Sequence, residues 1–241
     1  PHGYPMRKPR APARGYFFIR RMTKSRVVSF IDGLNLYHAI DRLKLPHLKW
    51  VDLYALSKKF IKSYSEELTH VFYFFTHASH ILESTQKLQK SYLLALELRG
   101  LKVVLGHFKE KDRRCPQFFH KWKGHEEKAT DVNIALTILD LAYQDFYDRA
   151  IVITNDSDLA PAIQKTRDRF PDKRITTIVP PHLYHSNELI KVSLDKSKIR
   201  IDQLEKCLLP EIVKDASGIV FVNRPIEYNP LFAYSSITTK L

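Results

Sequence analysis

Two short apolar runs constrain this chain more than anything else in it, because each delivers carboxylates at its end. Val27-Val28-Ser29-Phe30-Ile31 runs into Asp32, Gly33 and Asn35, and Ile151-Val152-Ile153 runs into Thr154, Asn155, Asp156 and Asp158. Apolar, β-branched runs of this length read as strands buried on both faces. Val71–Thr76, Leu101–Leu105, Ala150–Ile153 and Arg174–Val179 complete a set of expected strands with Val27–Ile31. Helical spacing fills the intervals. It predicts helices over Leu34–Leu43, over Leu53–Ile61 behind an Asp52 cap, and from Ser84 or Thr85 to Arg99, where Gly100 stops it. Further helices are expected from a Thr130 cap to Tyr143, over Leu159–Phe170 with Pro161 in its first turn, and over Asn187–Lys191. Such alternation argues an α/β fold with a parallel sheet and helices on both faces. In that architecture ligands bind beyond the carboxyl ends of the strands, where these acids fall.

The charge balance narrows the substrate. Lys and Arg number 39 against 26 Asp and Glu, a net +13, which favours nucleic acid or another polyanion. Eight of the basic residues fall before Val27, with no acid among them, so residues 1–25 read as a basic leader. Met22 offers an alternative start that would make residues 1–21 non-native; a basic nucleic-acid-binding arm is the functional reading of the same segment. No stretch is long and apolar enough for a membrane span. Two distant cysteines, Cys115 and Cys207, are not a disulfide framework, and a reducing cytoplasm is the expected location.

Clustered carboxylates repel one another and resist joint ionisation. A divalent cation resolves that conflict, and oxygen donors suit Mg²⁺ or Mn²⁺. Asp32, Asp131, Asp156 and Asp158 are therefore the candidate metal ligands, with Asn35 placed to orient water or phosphate and Thr154 and Asn155 to support them by hydrogen bonds. Taken singly, Asp131 or Asp158 reads as an ordinary helix cap; it is the joint pattern that points to chemistry. Asp140, Asp145 and Asp148 read as solvated helix-end residues.

Between Phe108 and Glu127 the chain is polar and basic, and a long irregular loop is expected there. Lys109, Lys111, Arg113, Arg114, Lys121, Lys123 and Lys128 are candidates for holding an RNA backbone, with Phe118, Phe119 and Trp122 to stack unpaired bases. Cys115, His120 and His125, with His107 as a fourth, raise zinc, but one cysteine without a CxxC pair disfavours it. Residues 206–241 read as a C-terminal appendage, with an edge strand over Gly218–Val222.

Phe30-Ile31-Asp32-Gly33-Leu34-Asn35-Leu36-Tyr37, Glu127-Lys128-Ala129-Thr130-Asp131-Val132-Asn133 and Thr154-Asn155-Asp156-Ser157-Asp158-Leu159 closely resemble, in order, the motifs of the NYN domain family of the PIN-like nuclease superfamily. The resemblance covers about Arg26 to Arg200, and the domain is expected over 26–205. It implies a Rossmann-like three-layer α/β/α sandwich with a mainly parallel sheet, and metal-dependent, usually endonucleolytic, RNA cleavage. The family's first-motif Asp and Asn fall on Asp32 and Asn35, its middle acid on Asp131 and its last acids on Asp156 and Asp158. Asn155 departs from the small residue many members carry there. Dimers are common among PIN-like proteins, so a homodimer is an expectation by resemblance alone.

The expectation is a Mg²⁺- or Mn²⁺-dependent endoribonuclease acting on single-stranded RNA, with a non-catalytic RNA-binding or assembly module on the same fold as the alternative. A phosphohydrolase of the haloacid-dehalogenase type wants Asp-x-Asp after its first strand; here Gly33 and Leu34 follow Asp32.

Overall fold

The computed structural model describes residues 24–76, 82–114 and 121–230, with side chains except over 107–114 and 121–128. Strands β1 (Ser25–Asp32), β2 (Glu66–Thr76), β3 (Lys102–Arg114), β4 (Lys121–Lys128), β5 (Arg149–Ile153), β6 (Arg174–Val179) and β7 (Asp195–Lys198) form one sheet in the order β4-β3-β2-β1-β5-β6-β7. All neighbours pair in parallel except β3 and β4. The chain builds outward from β1 in one direction through β2 and β3, then returns to β5 and builds the other way. The topological switch point therefore lies between β1 and β5, where such sheets open a crevice for ligands.

Helices α1 (Gly33–Asp41), α2 (Leu53–Lys58), α3 (Glu83–Leu98) and α7 (Ile201–Glu205) cover one face of the sheet, and α4 (Thr130–Tyr143), α5 (Ala160–Arg169) and α6 (Asn187–Val192) the other. The alternation of β1 drives this division. Val27 and Ile31 pack with Leu36, Ile40, Leu56 and Leu96, whereas Val28 and Phe30 pack with Ile134, Ile138 and Ile163. The result is the three-layer α/β/α sandwich that the resemblance implies. Phe30 stacks on Phe72 at 5.7 Å and meets Tyr147 edge-on at 5.9 Å, arrangements that favour aromatic pairs.

Several local expectations are corrected. The segment from Phe108 to Glu127 is no irregular loop through most of its length. β3 runs on past Leu105 and pairs antiparallel with β4, from His107 opposite Lys128 to Arg114 opposite Lys121. Polar residues occupy both faces of this ribbon, so no apolar alternation betrays it. Cys115 and His120 of the zinc reading lie outside the described residues, as do Phe118 and Phe119. Thr130 is not the α4 cap: Ala129 takes that position at φ 73°, and Thr130 is the first helical residue. Neither Ser84 nor Thr85 caps α3, which begins at Glu83. Asp145 and Asp148 are more than solvated. Asp148 accepts from the Arg26 amide at 2.7 Å and pairs with its guanidinium, while Asp145 pairs with the buried Lys173 at 2.6 Å, which together fix the start of β1.

Beyond the sheet, β8 (Ile212–Lys214) and β9 (Phe221–Asn223) form an antiparallel pair of their own; the expected strand at Gly218–Val222 starts only at Phe221. Leu209, Val213 and Tyr228 pack around Trp50, with Ala95 of α3 beside them. No helix among the described residues is long and apolar enough to cross a membrane.

Candidate active site

The crevice at the switch point is built by the ends of β1 and β5. β1 ends at Asp32, which caps α1: its Oδ1 accepts from the Asn35 amide at 3.0 Å. The turn is tight. A Cβ on Gly33 would lie 2.4 Å from the Phe74 carbonyl oxygen and 2.8 Å from the Tyr73 ring, so only glycine lets α1 leave the sheet so close to β2. β5 supplies the facing wall. The hydroxyl of the buried Thr154 donates to Asp32 Oδ2 at 2.9 Å and accepts from the Asp156 amide at 2.9 Å. The Asn155 amide donates to Asn35 Oδ1 at 3.0 Å. Asp156 Oδ1 accepts from the Asp158 amide at 2.9 Å and so caps the short 3-10 turn that leads into α5.

Asp32, Asn35, Thr154, Asn155 and Asp156 are thus one hydrogen-bonded group that spans both strand ends. Asp131 stands in the first turn of α4, and its charge and that of Asp156 are both felt at Asp32. Asp158 stands at the exposed rim and reaches this group through its backbone amide. Of the basic candidates, Lys109, Lys111, Arg113 and Arg114 lie on β3 and Lys121, Lys123 and Lys128 on β4; the ribbon ends two residues before Thr130.

Asp32 carries the electrostatic conflict of the site. It is 5% exposed. Burial pushes its carboxyl up to about 7, against the hydrogen bonds from Asn35 and Thr154, and the neighbouring Asp131 and Asp156 push it the same way. A buried carboxyl whose ionisation is opposed by burial and by like charges is a group that a cation would relieve. Beside it the side-chain oxygen of Asn155 is buried with no hydrogen-bond partner among the described residues. Among the described residues no three His, Cys, Asp or Glu side chains stand close enough together to hold a metal ion by themselves. The oxygen donors present fit Mg²⁺ or Mn²⁺.

Sequence reading missed two contributors. Thr76, the last residue of β2, is buried and shares a hydrogen bond with Thr130 at 2.7 Å, which anchors the start of α4 and so the placement of Asp131. Gly33, which the sequence shows only as a member of the first motif, is the second, because the close approach to β2 requires glycine there. The signal for Thr76 was its place at the end of an apolar strand, the same edge that carries Asp32 and Thr154.

The family model of the NYN domain matches residues 26–194. A 6-hydroxy-3-succinoylpyridine 3-monooxygenase, HspA, of Pseudomonas putida is 35% identical over 105 residues, which cover 42% of this chain and 33% of that protein. The match therefore spans about a third of that relative's length. Among solved structures, a protein of unknown function from Vibrio parahaemolyticus matches with a TM-score of 0.49 and 19% identity, over 77% of this chain and 97% of that one.

Proposed function

The chain belongs to the NYN domain family, and from that premise we propose that it is a metal-dependent endoribonuclease that hydrolyses phosphodiester bonds of single-stranded RNA. The observation that carries the reading is the buried Asp32 carboxyl at the switch point, joined through the Thr154 hydroxyl to the backbone of Asp156 on the neighbouring strand end. NYN domains are generally nucleases, and PIN-like nucleases typically use divalent metals. Fold alone does not assign chemistry, so the reading rests on the donor set.

Asp32, Asp131 and Asp156 would hold Mg²⁺ or Mn²⁺, with Asp158 contributing from the rim. When bound, the cation supplies Lewis-acid stabilisation of phosphate charge and lowers the pKa of attacking water. Asn35 has its Oδ1 committed to the Asn155 amide, which leaves its Nδ2 group to donate to a phosphate oxygen or orient water. Thr154 holds the Asp32 carboxylate and the Asp156 backbone, and the Asp158 amide holds the Asp156 carboxylate, so both carboxylates are oriented before substrate arrives. The β3–β4 ribbon would hold the strand. By the ribbon's alternation, Lys109, Lys111, Arg113 and Lys128 share one face with Trp122, and the acid on that face is Glu126. Arg114, Lys121 and Lys123 share the other with Glu110, Asp112 and Glu127. The first face combines net positive charge with a stacking residue, the combination that suits unpaired RNA.

The test is cleavage of a labelled single-stranded RNA by the purified protein in Mn²⁺, Mg²⁺ or EDTA, with Asp156→Asn in parallel. Metal-dependent cutting that falls to background in a folded variant is expected. RNA bound but uncut in every metal would replace the nuclease with an RNA-binding module.

A further inference from the structure

At the opposite end of the sheet, where β5, β6 and β7 begin, lies an open cavity of about 370 Å³. Lys59, Lys62, Arg149, Arg174, Thr176 and Lys196 line it among others, and Asp195 is the acid in its wall. Two of the five cations are already committed. Arg149 is buried, donates to Glu66 Oε2 at 2.7 Å and Thr176 Oγ1 at 3.0 Å, and also donates to the Phe60 carbonyl. Arg174 pairs with Asp195 at 2.7 Å. Each of these pairs is neutral as a unit, so they stiffen the wall without charging it.

The remaining three, Lys59, Lys62 and Lys196, have no carboxylate partner among the described residues. Lys59 and Lys62 come from the one stretch between α2 and β2 and Lys196 from strand β7, so it is the fold that brings Lys196 to the other two. Lys59 and Lys62, both exposed, add uncompensated positive charge at the concavity, and the exposed Lys196 adds to it from the edge strand. The Ser197 hydroxyl on the same wall can donate to an anion. Lysine is suited to phosphate as a point charge, without the fixed fork geometry of arginine.

We propose that this cavity is a second anion site that takes phosphate groups, away from the carboxylate crevice. β5 separates the two; its five residues span about 16 Å at the usual rise of a strand. The phosphate would come either from a free nucleotide or from the backbone of an RNA whose scissile bond lies in the crevice. The inference stands on the cavity's own residues and does not need cleavage to occur.

The experiment uses the full chain carrying Asp156→Asn, in EDTA, so that RNA stays intact. Binding of inorganic pyrophosphate, adenosine 5′-monophosphate and a fluorescent single-stranded RNA is compared between that protein, Lys62→Ala/Lys196→Ala, and a control with the exposed Lys90→Ala/Lys165→Ala. A tenfold or greater loss of pyrophosphate or nucleotide binding in the cavity variant alone identifies a free-nucleotide site. A fall in the salt dependence of RNA binding by about 1.4 in log–log slope, about 0.7 for each lost single-strand phosphate contact, identifies a backbone site. Equal behaviour of the cavity variant and the control with all three probes overturns the proposal. Failure of RNA cleavage in the native protein, with the cavity effect intact, would sink the nuclease reading and leave this one standing.

Discussion

Asp32 shows how one residue links pH, stability and metal. Its ordinary carboxyl value of 3.8 is raised to about 7 by burial and by Asp131 and Asp156. A carboxyl raised on folding contributes stability that is fully present below its unfolded value and is lost as pH rises through its folded value. Metal-free protein should therefore lose stability between about pH 4 and pH 8 from this group, and Asp32→Asn should flatten that slope in urea titrations run in EDTA. Metal binding must displace the same proton. Mn²⁺ affinity should rise about tenfold per pH unit below about 7 and level off above it, with calorimetric proton release tracking the change. A pH-independent affinity would show that Asp32 does not ionise on binding. Thr154 tests the next layer. Thr154→Val removes the hydroxyl from Asp32 Oδ2 and from the Asp156 amide at once. Cleavage should fall about 10–100-fold, with the Mn²⁺ concentration for half-activity shifted upward. A loss of rate at unchanged Mn²⁺ dependence would place Thr154 outside the metal's support.

Among the elements, the junction of β1 with α1 makes the strictest demand, because Gly33 sits against the β2 backbone. Gly33→Ala puts a methyl 2.4 Å from the Phe74 carbonyl oxygen, which cannot swing aside as a side chain could. Such overpacking costs about 1–3 kcal/mol, and urea midpoints should fall accordingly, with activity lost out of proportion because Asp32 precedes the displaced helix. Wild-type stability and rate in that variant would mean that the turn relaxes freely. The same junction shows what the sequence discloses. Val27–Ile31 and Ile151–Ile153 announce themselves as strands because burial on both faces demands near-continuous apolar runs, interrupted here only by the small Ser29, and the acids beyond them place the crevice. β7, with the sequence Asp195-Lys196-Ser197-Lys198, announces nothing: an edge strand of polar residues is held by backbone pairing to β6. The β3–β4 ribbon is hidden for the same reason. The contact of Thr76 with Thr130 joins residues 54 apart, and only the closed sheet brings them together.

On the scale of the whole molecule, the chain beyond the residues matched by the NYN domain still closes onto the sandwich. The backbones interlock: the Asp52 amide donates to the Cys207 carbonyl at 2.6 Å, and the Leu209 amide to the Trp50 carbonyl at 2.9 Å. The Trp50 indole donates to the Pro210 carbonyl at 2.9 Å, and Tyr228 packs at 6.3 Å from its ring. Trp50 is fully buried, and it joins the segment before α2, helix α3 and the C-terminal segment in one cluster. We therefore expect residues 207–228 to unfold with the domain and not ahead of it. Trp50→Ala deletes the centre of that cluster and should cost about 3–5 kcal/mol, as one cooperative transition with its midpoint lowered and its slope kept. Were the C-terminal segment an independent unit, the variant would instead show a small early transition and leave the main one unmoved. Native-state hydrogen exchange separates the two cases, because the Leu209 amide should exchange only through global opening if the segment is integral.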